Sequence, residues 1–187
     1  MSDWPTPLEG VTETVVTTLT PSGGWNAAAL GLHGGSPVTA RTWGQTRTRV
    51  AFERDGTGVI QFTTDSLTFV RAALTIHEVE EPVLAAADAW VWVEATRTAS
   101  GSSAGTEWVE WRLDPLASRV RRRRVAGIRR ARGAVVEASV AASRLDVEGF
   151  DRSELLATIE RCGEVVERTG DARDRQAMSI VMETANE

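Results

Sequence analysis

The chain has 187 residues, 42% of them hydrophobic and 25% charged, with a formal net charge of −5, which suits one medium domain or one domain plus a small appendage. No apolar run approaches the roughly 20 residues of a membrane-spanning helix, and the negative balance argues against a general nucleic-acid binder. A single cysteine, Cys162, leaves no intrachain disulfide and no cysteine cluster for zinc.

All 21 basic residues are arginine, which fits either a GC-rich genome or adaptation to high salt. The opening MSDWPTPLEG lacks the basic-then-apolar layout of a secretion signal, so the expected location is cytoplasmic. The first two-thirds reads as β-rich. Thr12, Thr14, Val16 and Thr18 alternate with Glu13, Val15, Thr17 and Leu19, the period of two of a pleated strand. Pro21-Ser22-Gly23-Gly24 supplies a tight reversal. The next strand carries Asn26-Ala27-Ala28-Ala29, small side chains with poor strand propensity. Such a run beside one amide predicts that something bulky, a ligand or another chain, lies against that backbone.

Residues 36–42 follow as a strand, Val50–Glu53 as a short helix, and residues 58–64 as a strand entered through the turn Asp55-Gly56-Thr57-Gly58. Asp65 and Ser66 start a helix with Leu67, Val70, Arg71 and Leu74 at helical spacing. Residues 89–95 and 107–113 form a strong strand pair, and the loop between them, 99–105, has the most flexible composition in the chain. Several strands closed by turns, with a helix in the middle, favour a barrel over an open parallel sheet. From Arg119 onward the patterning is helical: residues 133–145, 153–168 and 172–184. Asp151 with Glu154 reads as a capping box, Gly170 as a left-handed helix end, and Leu155, Leu156, Ile159, Cys162 and Val166 as one packed face. The expected organisation is a barrel domain over residues 1–118 and a helical domain over residues 119–187, without internal repeats.

Three constellations carry chemistry. In Arg41 to Arg49, Arg41, Thr46, Arg47 and Thr48 offer guanidinium and hydroxyl donors suited to a phosphate; a solvated loop whose arginines pair with carboxylates explains the same residues. Gln61, Thr63, Thr64 and Asp65 end a strand and enter a helix N-terminus, where backbone N–H groups favour an anion or a ring carbonyl; Asp65 as a simple helix cap is the plainer alternative. Residues 119–132 hold eight arginines. With no aromatic residue interleaved, they read as a linker or strand edge neutralised by carboxylates before they read as a nucleic-acid contact. There is no P-loop, no GxGxxG after a strand and no GxSxG elbow. Two histidines, His33 and His77, are too few for a multi-histidine metal site; His33 reads as a loop residue and Cys162 as an inert thiol. The tryptophans read as core or interface anchors.

In order and spacing, several stretches together resemble an archaeal family of FMN-binding split-barrel flavoproteins, catalogued as domain of unknown function 447. They are Glu13 to Thr18, Gly24 with Asn26-Ala27-Ala28 and Gly31, and Arg41 with Thr46-Arg47-Thr48. Thr63-Thr64-Asp65 leading into Leu67 to Leu74, Ala87 to Trp90, and Arg130 to Glu137 complete the pattern. The resemblance implies an α+β, mainly β fold: a split barrel followed by a small helical domain, assembled as a homodimer with FMN near the subunit interface. It implies that Asn26, Ala27 and Ala28 lie against the isoalloxazine ring, that Gln61, Thr63, Thr64 and Asp65 add donors and acceptors, and that Arg41, Thr46, Arg47 and Thr48 hold the phosphate. The expected function is a flavin-dependent oxidoreductase or flavin reductase-like protein. The alternatives are a non-catalytic flavin or small-ligand carrier or sensor, and an arginine-rich nucleic-acid module.

Overall fold

The computed structural model describes residues 4–103 and 105–187. The alternation at the start of the chain becomes β1 (Val11–Leu19), which pairs along its whole length with β2 (Trp25–His33). Then come β3 (Thr39–Trp43), α1 (Arg47–Asp55), β4 (Thr57–Phe62), β5 (His77–Val79), β6 (Ala89–Ser103) and β7 (Thr106–Val120). All pairings are antiparallel, in the order β1-β4-β6-β7-β3-β2, and the β1–β2 pair closes six strands into a barrel. β5 adds a seventh strand on β2. With five helices, this is the α+β split-barrel architecture expected.

Inward-facing residues explain the closure. Val16, Leu30, Leu32, Ile60, Val91, Val93, Trp111 and Leu113 pack into one core, joined by Phe52 from α1. Phe52 meets Trp111 edge to face at 5.3 Å, and the Trp111 indole donates to Thr42 Oγ1 at 2.9 Å, so the largest core side chain keeps its polar atom satisfied. α1 ends at Gly56, whose φ of 65° suits a residue without a Cβ. Gly58 lets β4 pass under Phe52: a Cβ there would lie 2.9 Å from the ring.

The β6–β7 hairpin corrects one expectation. Residues 99–103, read as flexible loop, are strand, paired through Ser103 with Thr106; Ala104 lies outside the described residues. The Gly and Ser composition serves packing here. The Trp108 ring lies so close over Gly101 that a Cβ would come within 2.6 Å of it, and the Arg41 guanidinium covers the same tryptophan at 4.6 Å. His33, read as a loop residue, is the last residue of β2.

The chain divides into two compact units: everything up to Thr64 with His77–Arg124, and Asp65–Ile76 with Val125–Glu187. The second unit is helical, with α2 (Ser66–Leu74), α3 (Arg130–Ala142), α4 (Arg152–Thr169) and α5 (Ala172–Ala185). Its core joins Leu67, Val70, Val135, Ala138, Ile159, Val166, Met178 and Val181. Asp151 caps α4 by accepting from the Ser153 and Glu154 amides. Gly170 is extended rather than left-handed, with φ −82°; the glycine is needed because a Cβ would sit 2.6 Å from the Val166 carbonyl oxygen. Leu156 faces outward, unlike Ile159 and Val166. Burial pushes the half-buried Cys162 thiol up, which favours its protonated form. No described helix is long and apolar enough to cross a membrane.

Candidate functional site

β2 is the strand on which the barrel seam opens. One of its edges is fully paired to β1. On the other edge β5 covers Trp25 to Ala27 and β3 covers only Leu32 and His33. Residues 28–31 therefore have no strand partner on that side among the described residues. β3 leaves β2 after Ala40 and runs along β7, with Arg41 opposite Glu110 and Trp43 opposite Trp108. The chain then turns at Gly44 into α1, which packs on β1, β2, β3 and β4. Mid-strand residues Ala28 and Ala29 are consequently only half-buried. The run of small side chains marks a place where the barrel wall exposes main chain.

The pleat separates the β2 residues. Ala28 shares the core face with Val16, its register partner, and Asn26 lies on that face too, whereas Ala27 is on the opposite face. Thr18 faces Asn26 from β1, and Glu78 faces it from β5, so these three side chains point the same way. Arg47, in the first turn of α1, donates to the Glu78 carboxylate at 2.5 Å. That contact brings the start of α1 to the Asn26 end of β2. Thr46 caps α1, accepting from the Arg49 amide at 3.3 Å. Thr48 is buried, and its hydroxyl has no partner; neither has the buried Thr18 hydroxyl. Asn26, on the same face as Thr18, is 6% exposed. Arg41 is exposed, donating through Nε to Glu110 at 3.0 Å and lying over Trp108. The first turn of α1, with Thr46, Arg47 and Thr48, thus lies towards the Asn26 end of β2, while Ala27 is turned to the other face and Arg41 is held at Glu110 and Trp108.

Gln61, Thr63 and Thr64 are drawn elsewhere, onto residues 82–88. Fully buried Gln61 donates to Thr17 Oγ1 and the Pro82 carbonyl, each at 3.0 Å, and accepts from the Leu84 amide at 2.7 Å. Thr63 donates to the Ala86 carbonyl at 3.0 Å and Thr64 to Asp88 Oδ2 at 3.3 Å. The arginine run converges on the same segment. Arg124 pairs with Asp88 at 2.9 Å, Arg122 donates to the Ala85 carbonyl and lies 3.5 Å from Asp88, and Arg121 donates to the Leu84 carbonyl. Asp65 belongs to the helical unit. It occupies the cap position of α2 without capping it, and it binds Arg173 at 2.5–2.6 Å and Thr68 at 2.6 Å. Burial opposes its ionisation, but the Arg173 guanidinium and the Thr68 hydroxyl prevail and hold its carboxyl down at about 2.

Two residues at this end of β2 were not among the expected site residues, Thr18, which was read only as part of the first strand, and Glu78. Thr18 depended on the register: the connection spans residues 20–24 and pairs Leu19 with Trp25, hence Thr18 with Asn26, whereas a four-residue turn at 21–24 sets Thr18 opposite Ala27. Glu78 had no local signal, since β5 is three residues long. A separate cavity of about 470 Å³ lies between the end of α1 and β6, lined by Phe52, Asp55, Thr57, Glu94, Arg97 and Trp111 among others; none of the predicted residues borders it. No cluster of His, Cys, Asp and Glu suited to a metal occurs among the described residues.

No curated protein matches the sequence. Among solved structures, the FMN-bound protein MM1853 from Methanosarcina mazei superposes with a TM-score of 0.80 at 22% identity, covering 95% of this chain and 96% of that one. Two others are far weaker. The styrene monooxygenase flavin reductase from Pseudomonas putida has a TM-score of 0.43 at 13% identity, covering 59% and 79%. The FMN-binding protein from Thermus thermophilus, with bound p-hydroxybenzaldehyde, has a TM-score of 0.42 at 14% identity, covering 65% and 80%. Only the first likeness bears on the fold. Residues 12–122 match the family described as Protein of unknown function (DUF447) N-terminal domain, and residues 129–183 match Protein of unknown function (DUF447); the chain belongs to the DUF447 family.

Proposed function

We propose that this protein binds FMN at the barrel seam, works as a homodimer, and is a flavin-dependent oxidoreductase or flavin reductase-like protein. The observation that carries the reading is the stretch 28–31 of β2, without a strand partner on one edge among the described residues, on a strand whose Asn26 end is linked through Glu78 to Arg47 in the first turn of α1. Its context is family membership together with a relative of the same fold that is FMN-bound.

The residues present fit the group. Methyl-sized side chains on β2 let a planar ring approach main chain closely. The first turn of α1 contains no acidic residue, and its free amides, with the Arg47 guanidinium, favour a phosphate. Arg41 uses Nε on Glu110 and keeps its other two nitrogens available for the same anion. Thr46 acts indirectly, by fixing the first turn. Gln61, Thr63 and Thr64 act at a distance, by holding residues 82–88 against the barrel. When bound, the flavin supplies the electron-transfer chemistry, and the chain supplies binding, orientation and electrostatics.

The visible absorption spectrum of the isolated protein, followed by titration with FMN, tests this. A yellow protein, or saturable flavin uptake, is expected; a protein that stays colourless in excess FMN overturns the reading. Anaerobic addition of reduced nicotinamide separates a reductase, whose bound flavin bleaches, from a carrier or sensor, whose flavin does not. Light scattering of the eluting protein is expected to give twice the chain mass.

A further inference from the structure

We propose that Thr18, Asn26 and Thr48 form a polar subsite at the α1 end of the seam that receives a neutral hydrogen-bonding group of the ligand, a hydroxyl or an amide edge, rather than its phosphate. The inference rests on the flavin reading and adds to it a residue, Thr18, and a division of labour.

All three residues are more than nine-tenths buried. The hydroxyls of Thr18 and Thr48 have no partner among the described residues. Buried polar atoms are almost always paired, by protein or by something bound. Thr18 and Asn26 are register partners on one face, and Asn26 pairs on its other side with Glu78, which holds the first turn of α1 through Arg47. Thr18 and Asn26 therefore sit side by side at the end of β2 that the first turn of α1, with Thr48, reaches through Arg47.

Their chemistry selects the guest. Two hydroxyls and a carboxamide both donate and accept, as a polyol or an imide edge requires, and they carry no charge. Arg47 spends one nitrogen on Glu78, and the Glu78 carboxylate, a register neighbour of Asn26, disfavours an anion at Asn26 itself while leaving the rest of the guanidinium to the phosphate. In a flavin, a neutral partner of this kind is either the ribityl chain or the pyrimidinedione edge of the ring.

Thr18→Val removes the hydroxyl and keeps the shape. Dissociation constants for FMN, riboflavin and lumiflavin, taken on the full chain, are expected to show FMN and riboflavin weakened alike by about tenfold. Their ratio should be unchanged, and the melting temperature should not fall, because the lost hydroxyl bonds nothing within the protein. Lumiflavin weakened to the same degree assigns the subsite to the ring edge; lumiflavin unaffected assigns it to the ribityl hydroxyls. Thr48→Val is the second variant should the first fail to fold. Unchanged affinity for FMN and riboflavin overturns the proposal, as does a loss confined to FMN, which would make this a phosphate site. Wild-type protein that binds no flavin overturns the underlying function as well, a result distinct from either.

Discussion

The two units bury polar groups in opposite ways. In the helical unit, Asp174 is 1% exposed and nearly every bonding position of its carboxylate is met: Ser66 Oγ at 2.6 Å, Arg129 at 2.5 Å and the Asp171 amide at 3.1 Å. Ser139 returns its hydroxyl to the Val135 carbonyl, and among the described residues of this unit Arg132 Nε alone is left over. At the barrel seam the buried hydroxyls of Thr18 and Thr48 are left open among the described residues. A closed network is architecture, and its loss costs stability; an open one costs stability until something binds. Mutations should therefore separate the units by what they change.

The largest effect is expected at Asp174. Asp174→Ala leaves the Ser66 hydroxyl and the start of α5 without an acceptor, a loss of about 2–3 kcal/mol, at the low end for a broken buried pair because Arg129 can turn to water. All seven tryptophans lie in the barrel unit, so far-UV circular dichroism follows the helices while indole fluorescence follows the barrel. The dichroism transition should move to lower denaturant, with flavin affinity unchanged if the seam alone binds ligand. Next comes Gly58→Ala in the closed wall opposite the seam. The added methyl meets Phe52, the Thr17 carbonyl oxygen and Val16 within 3.3 Å, and should cost about 1–3 kcal/mol, seen in the fluorescence transition. If it cost nothing, the closed wall would be as loose as the seam.

These contrasts were only partly legible in the sequence. Strand alternation and the Pro-Ser-Gly-Gly turn give β1 and β2 because period and turn chemistry are local properties. The small residues of β2 pointed to an approachable backbone for the same reason. What lay beyond reach depended on long-range pairing. Gln61, Thr63 and Thr64 look like ligand donors in a linear reading, but they meet residues about 20 positions away. Residues 99–103 look like a loop until Trp108 is seen needing the bare face of Gly101. Gly170 was read by the commonest reason for a glycine after a helix, and its own reason is a close carbonyl. Glu78 depends on a three-residue strand that no periodicity can reveal.

A smaller effect in the closed network is tied to pH. The Asp65 carboxyl sits at about 2, below its ordinary 3.8. Its contribution is therefore fully present above about 4 and is lost as pH falls towards about 2, where the folded state takes up the proton. Arg173→Gln should weaken this dependence, leaving the share due to Thr68. Between pH 5 and pH 2.5 the melting temperature of the variant should fall less than that of the wild type. Parallel curves would mean that the ion pair adds nothing to the helical unit.

The smallest change in stability, and the sharpest probe of the seam, is expected from Glu78→Gln. Its pair with Arg47 leaves both side chains about half exposed, at 52% and 51%, and such pairs are worth about 0–1 kcal/mol. Folding should hardly register the substitution. Binding should register it, because the same carboxylate occupies the guanidinium assigned to the phosphate and sets a negative charge beside Asn26. Freed of it, Arg47 should bind FMN several-fold tighter at low salt, by about 1 kcal/mol or less, while riboflavin, which lacks the phosphate, stays where it was. Added salt screens exposed charges over about 10 Å at 0.1 M, so the gain should shrink as ionic strength rises. Equal effects on FMN and riboflavin would place the phosphate away from Arg47, and the first turn of α1 would then share the purely architectural role of the helical network.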